Sequence, residues 1–218
     1  MTILTKLLFI IIGAVIGILL WIGFGAIKEN IEEERFAKIY FTGEVTESSV
    51  NQLISTIDTI NSEHEDLEKI YLYIRSWGGN ADAGDAAYWI IRSSRIPITT
   101  VNLAYVGSAA SVMFCGGRER LSLEYGTFLL HPPAITVPKL PWSTDDLRQV
   151  DEFINISAKF STEVYKTCTT LPEEELKAIS YSENQRLVLS TAQAQEKGLI
   201  SGIMSKVVET PIFYLVSD

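Results

Sequence analysis

The chain has 218 residues, 47% of them hydrophobic and 21% charged, which describes a globular chain rather than a disordered one and allows one domain with a substantial core. Its net charge of −9, with no basic stripe interleaved with aromatics, argues against nucleic acid as a partner. Two cysteines far apart and two histidines, His64 and His131, offer no ligand set for a structural zinc. No cofactor is expected, and Cys115 and Cys168 read as small buried apolar residues.

Residues 7–27, LLFIIIGAVIGILLWIGFGAI, carry no charge. At 1.5 Å per residue such a run spans a hydrocarbon core of ~30 Å. It is longer than the ~7–15 apolar residues of a secretory signal. The expectation is a retained, single-pass N-terminal membrane anchor in residues 1–28, a charged juxtamembrane linker in 29–38 and one domain in 39–218. Gly13 and Gly17 form a GxxxG, a spacing that lets membrane helices approach closely. Lys6 and the amino terminus precede the span, and Lys28, Arg35 and Lys38 follow it, so basic residues lean by one charge toward a cytoplasmic domain.

After the linker, AKIYFTGEV (37–45) reads as a short strand ending at Gly43. Val50, Leu53, Ile54, Ile57 and Ile60 have helical spacing over 48–62. KIYLYIRS (69–76) is a buried strand followed by a WGGN turn, and 83–94 is a helix with Ala87, Ile90 and Ile91 inward. PITTVNLAYV (97–106) is another buried strand, 109–117 a short helix, and 120–131 two short strands around Tyr125–Gly126. Alternation at this spacing implies βαβ crossovers and a mainly parallel sheet covered on both faces. Residues 143–170 form one long helix, opened by a Ser143–Asp146 capping box and ended at Leu171–Pro172. A short helix (173–178), a strand near 186–189 and a helix at 191–197 close the domain.

The stretch YVGSAASVMFCGG (105–117) crowds small residues around a serine between two apolar runs. A serine hydroxyl becomes a nucleophile when a base takes its proton and donors hold the oxyanion. Ser111 is the expected nucleophile, with the Val112 amide toward the oxyanion. RSWGGN (75–80) ends a buried strand, as the serine turn does, so both turns lie at the carboxyl ends of strands, where such sheets put their sites. Gly79 supplies a second amide free of side chain. His131 in FLLHPP ends an apolar strand, with two prolines fixing the chain behind it.

IYLYIRSWGGNADAG, GSAASVMF and FLLHPP, in this order, resemble the Clp protease proteolytic subunit family, the ClpP-like serine peptidases. The likeness runs from Ile39 to Ile203 and includes the long helix and LSTAQAQEKGLISG (189–202). It implies a ClpP/crotonase-like α/β fold of repeated ββα units, with a mainly parallel sheet and a long handle helix, here preceded by one transmembrane helix. It implies Ser111 as nucleophile, His131 as general base and acid, and the Gly79 and Val112 amides as oxyanion hole. Gly78 and Trp77 belong to the turn expected at the substrate, an extended peptide added as a strand. Self-assembly through the 143–170 helix follows from the same resemblance.

The chain departs from that pattern. The family's third catalytic residue, an aspartate shortly before the Leu189–Ser190 pair, falls on Arg186; Asn184 and Glu183 are the alternatives, Asn184 preferred, and the place can also be empty. The stretch from Ser111 to His131 is shorter than in the family. Trp77 stands where the family has proline, narrowing the cleft or capping the core. The apolar segment replaces N-terminal loops that engage an unfolding ATPase, which leaves that partner open. Three rival readings remain. A relative of signal peptide peptidase A would use a lysine base, Lys139 or Lys159. A non-catalytic assembly subunit would have kept only the fold, and an acyl-CoA enzyme of the crotonase type would need no Ser–His pair.

Overall fold

Three apolar stretches build the centre of the sheet: β1 (Phe36–Thr42), β2 (Lys69–Ser76) and β3 (Ile98–Gly107). They pair in parallel in that order, and β8 (Ile212–Ser217) adds in parallel at the outer edge of β1. Their near-continuous apolar sequences fit strands covered on both faces. The structure is a computed structural model and describes residues 35–134, 141–181 and 183–217.

The crossovers are α1 (Glu47–Glu63) and α2 (Ala81–Ser93). Thr46 opens α1 in a capping box with Ser49, and the Asn80 side chain accepts from the Ala83 amide at the start of α2. The helices turn Leu53, Ile57, Ile60, Ala87, Tyr88 and Ile91 into the core.

β3 is long enough to serve two partners on one edge. Thr99–Asn102 pair with β4 (Glu119–Leu123) and Tyr105–Gly107 with β5 (Thr127–Leu130), both in parallel. Buried Asn102 sits where the two diverge and donates to the Thr127 carbonyl at 2.9 Å. Gly126 closes against it, since a Cβ there would meet Asn102 Nδ2 at 2.9 Å and Ser122 Oγ at 2.2 Å. β5 then pairs antiparallel with β6 (Leu187–Ser190), and β7 (Gly202–Met204) extends β4.

The elements read from the sequence are present in order, each within a few residues of its expected bounds. The strands β7 and β8 and the one-turn 3-10 helix Glu183–Gln185 are additions. The long helix, α4 (Thr144–Cys168), starts at the expected Ser143–Asp146 capping box. It buries Ser157, Ala158, Val164, Tyr165 and Cys168 in its C-terminal half only, while Leu147 near its start and Ile156 at its midpoint are exposed. Helices α5 (Glu173–Tyr181) and α6 (Thr191–Glu196) follow.

The cysteines correct the sequence reading. Cys115 and Cys168 are not merely small apolar residues; they form a disulfide across 53 positions, joining the end of α3 (Ala109–Phe114) to the end of α4. The apolar segment 7–27 and most of the linker lie outside the described residues. Among the described residues no helix is long and apolar enough to cross a membrane.

Candidate active site

β3 stays in the ladder through Gly107, and the Ser108 amide still donates to the Leu129 carbonyl at 2.9 Å. The chain then turns sharply. Ser108 has φ 53° and ψ −131° and is the only described residue other than glycine with a positive φ. That conformation costs an L-residue on the order of 1–3 kcal/mol and persists only where the surroundings over-determine it.

The surroundings do so from both sides. The Ser108 carbonyl accepts from the Ser111 amide at 2.8 Å and from Ser111 Oγ at 2.6 Å. Ser111 Oγ has spent its one proton on that carbonyl, so Tyr165 Oη, 2.7 Å away, is the donor to it. On the other side Gly78 lies against the turn so closely that a Cβ would meet Ser108 Cβ at 2.5 Å. Gly84 likewise lets α2 approach α3, its missing Cβ only 2.9 Å from the Ala109 carbonyl. The Ser108 hydroxyl, by contrast, makes no capping bond to the helix it precedes.

Ser108 opens into a cavity of about 270 Å³. His131 and Asp85 share its wall, with Gly79, Ala109, Phe153 and Tyr165 around them. The His131 ring contacts the Pro132 carbonyl through Nδ1 at 2.7 Å. A carbonyl can only accept, so Nδ1 carries a proton. The amides of Gly79 and Ala109 donate to no protein acceptor among the described residues. Burial pushes the Tyr165 phenol up to about 12, so it is a neutral donor at ordinary pH. Burial, with repulsion from Asp82, raises the Asp85 carboxyl to about 7.

Several expected site residues lie elsewhere. Ser111 is fully buried within α3, bonded on both sides, and is not part of the cavity wall, so it has no path to a substrate. Val112 reaches the wall, but its amide is fourth in α3, where an N–H bonds the helix's own capping carbonyl. Gly79 and His131 are where they were expected, at the cavity, and Gly78 lies beneath the serine turn. Trp77 neither caps the core nor enters the cavity; it is exposed and stacks on Tyr105, with ring centroids 4.4 Å apart. Asn184 is exposed in the turn that Glu183 begins and does not line the cavity; Arg186 is also exposed. Lys159 is exposed and borders a different depression, and Lys139 lies outside the described residues.

Residues 26–207 match the Clp protease family. The chain belongs to that family. Membership makes it a serine-type endopeptidase of the Clp protease kind, and the mixed α/β fold with a mostly parallel sheet agrees. It is 25% identical over 180 residues to ATP-dependent Clp protease proteolytic subunit 2 of Treponema pallidum (strain Nichols), covering 80% of this chain and 85% of that protein. The ATP-dependent Clp protease proteolytic subunit of Paracoccus denitrificans is 24% identical over 176 residues, covering 79% and 84%. The subunit from Mesostigma viride is 35% identical over 99 residues, 44% of this chain and 43% of that one.

Sequence reasoning about this Clp-family chain did not place Ser108, Ala109 and Asp85 at the cavity they line. The signal for Ser108 was present. A strand read to Val106 and a helix read from Ala109 leave Ser108, not Ser111, on the junction. The stretch to His131, short when counted from Ser111, gains three residues when counted from Ser108.

Proposed function

We propose that the chain is a membrane-anchored peptidase in which Ser108 is the nucleophile, His131 the general base and acid, and the Gly79 and Ala109 amides the oxyanion hole. One observation carries this reading: the single strained serine turn and the only histidine near it face one cavity. A strand-to-helix turn of this kind presents a hydroxyl outward and leaves the next amide aimed at the same space.

His131 Nε2 takes the Ser108 proton as Oγ attacks the scissile carbonyl carbon. The carbonyl oxygen becomes an oxyanion facing the two amides. The C–N bond breaks, the amine leaves with the proton from His131, and water repeats the sequence on the acyl-enzyme. The Pro132 carbonyl, accepting from Nδ1, helps to hold the orientation of the ring. An extended peptide is the substrate. Residues 7–27 anchor the enzyme, and the exposed face of α4 at Phe153 and Ile156 is the contact between copies.

The test is a fluorophosphonate probe on the full chain in detergent, read by intact mass. Wild type labels once. Ser108→Ala abolishes labelling, Ser111→Ala slows it, and His131→Ala lowers its rate by about 10²–10⁴-fold. Loss in Ser111→Ala with retention in Ser108→Ala returns the nucleophile to Ser111. Labelling indifferent to His131 points to a lysine base. No labelling of folded wild type leaves a non-catalytic subunit. The relatives' names carry ATP dependence; cleavage of a folded protein only with a Clp ATPase and ATP added would extend it to this chain.

A further inference from the structure

The cavity beside Ser108 holds a carboxyl group that the reaction does not use. Asp85 projects from the second turn of α2, half-buried, into the wall that Ser108 and His131 share. It has no hydrogen bond or ion pair among the described residues. Among the described residues, no lysine or arginine lines the cavity with it. The rest of the described wall near it is apolar or neutral: Ala81, Phe153, Tyr165 and the Ser161 hydroxyl, which itself donates to the Ser157 carbonyl at 2.9 Å.

We propose that Asp85 makes this cavity the pocket for a cationic side chain of the substrate, so that the peptidase cleaves after lysine or arginine. The inference rests on the Ser108–His131 reading and adds the substrate class to it. Pockets for whole small ligands run ~300–1,000 Å³. At about 270 Å³ this one suits a single long side chain, held with its backbone at the oxyanion amides. An apolar side chain would remove the remaining water from Asp85 and give it nothing in return. A guanidinium supplies both charge and donors in a fork that matches a carboxylate. The raised carboxyl value belongs to the empty cavity, where burial and Asp82 act unopposed, and a cation beside Asp85 reverses that penalty.

The experiment measures kcat/KM of the full chain on three matched peptide aminocoumarins with arginine, glutamine or leucine at the scissile residue, alongside fluorophosphonate labelling. The arginine peptide is expected to exceed the leucine peptide by about 100-fold. Asp85→Asn, which keeps the shape and removes the charge, cuts that ratio about 10–100-fold, and Asp85→Leu inverts it. On wild type alone, a peptide aldehyde ending in arginine inhibits more tightly than its norleucine counterpart by a similar factor. A preference for leucine or glutamine, or a ratio unmoved by Asp85→Asn, overturns the pocket assignment while labelling at Ser108 leaves the mechanism standing. Failure of wild type to label overturns both.

Discussion

Gly78 decides whether Ser108 can hold its turn. Its φ is +104°, and an added Cβ would lie 2.5 Å from Ser108 Cβ and 2.8 Å from the Gly107 carbonyl oxygen. Backbone and a buried turn cannot give way as a flexible side chain would. Gly78→Ala is therefore expected to cost about 2–4 kcal/mol and to abolish fluorophosphonate labelling, with the melting temperature and the labelling rate as readouts. Asp85 makes a prediction with a sign. Its carboxyl is raised from 3.8 to about 7 in the folded chain. Between those values the folded state keeps a proton that the unfolded state has lost, so stability falls as pH rises through that window and is level above it. The groups facing Asp85 are Asp82 on its own helix, Tyr165 on α4 and His131 after β5. Partial exposure screens the penalty to about 1–2 kcal/mol. Asp85→Asn should match wild type at pH 4 and melt about 2–8 °C higher at pH 8. Parallel melting curves would rule the buried charge out. At this scale the sequence was half legible. His131 and Gly79 are marked by the strand ends they follow, whereas two serines three apart in GSAAS differ only in backbone conformation, which one-residue differences in strand length control.

At the level of elements, the disulfide is the feature with most consequence. It ties the end of α3, whose first residue follows Ser108, to the end of α4, which carries Tyr165 and thereby Ser111. Closing a loop of 53 positions restricts the unfolded chain. Replacing Cys115 and Cys168 together by alanine is expected to lower stability by about 2–4 kcal/mol in denaturant unfolding. Labelling of Ser108 should slow in the same variant, because the Tyr165–Ser111–Ser108 chain of bonds loses its clip. Labelling at the wild-type rate would confine the disulfide to stability. Disulfides persist in oxidising compartments, which opposes the one-charge lean of the flanking lysines and arginines toward the cytoplasm. The strands and helices themselves were legible because β1, β2 and β3 are apolar throughout and α1 and α2 repeat apolar residues at helical spacing. The disulfide was not legible, since proximity of Cys115 and Cys168 follows from how α4 packs. β8 was hidden because its exposed Phe213 and Leu215 break the alternation expected of an edge strand.

For the whole molecule, the unburied half of α4 and the proposed anchor would limit the assembly together. Phe153 and Ile156, three residues apart and so neighbours on one face, are 38% and 70% exposed on a 25-residue helix of about 37 Å, while Leu147 faces the other way. Phe153 also lines the cavity, so a copy packed on this face would complete the wall of the site. Ile156→Glu is expected to shift sedimentation toward the monomer and to reduce peptide cleavage in step with it. Full activity in the monomer would separate assembly from catalysis. The proposed anchor would then select the symmetry. Residues 29–35, which precede β1, span at most ~25 Å when extended, so every anchored copy would begin close to the same bilayer face. Copies related by an axis along the membrane normal satisfy this, and copies stacked tail to tail do not. The full chain in detergent should therefore form a single-layered particle by electron microscopy, while a chain starting at residue 29 is released from that restriction and is free to stack. Two stacked layers of the full chain would mean that residues 7–27 do not hold all copies to one membrane.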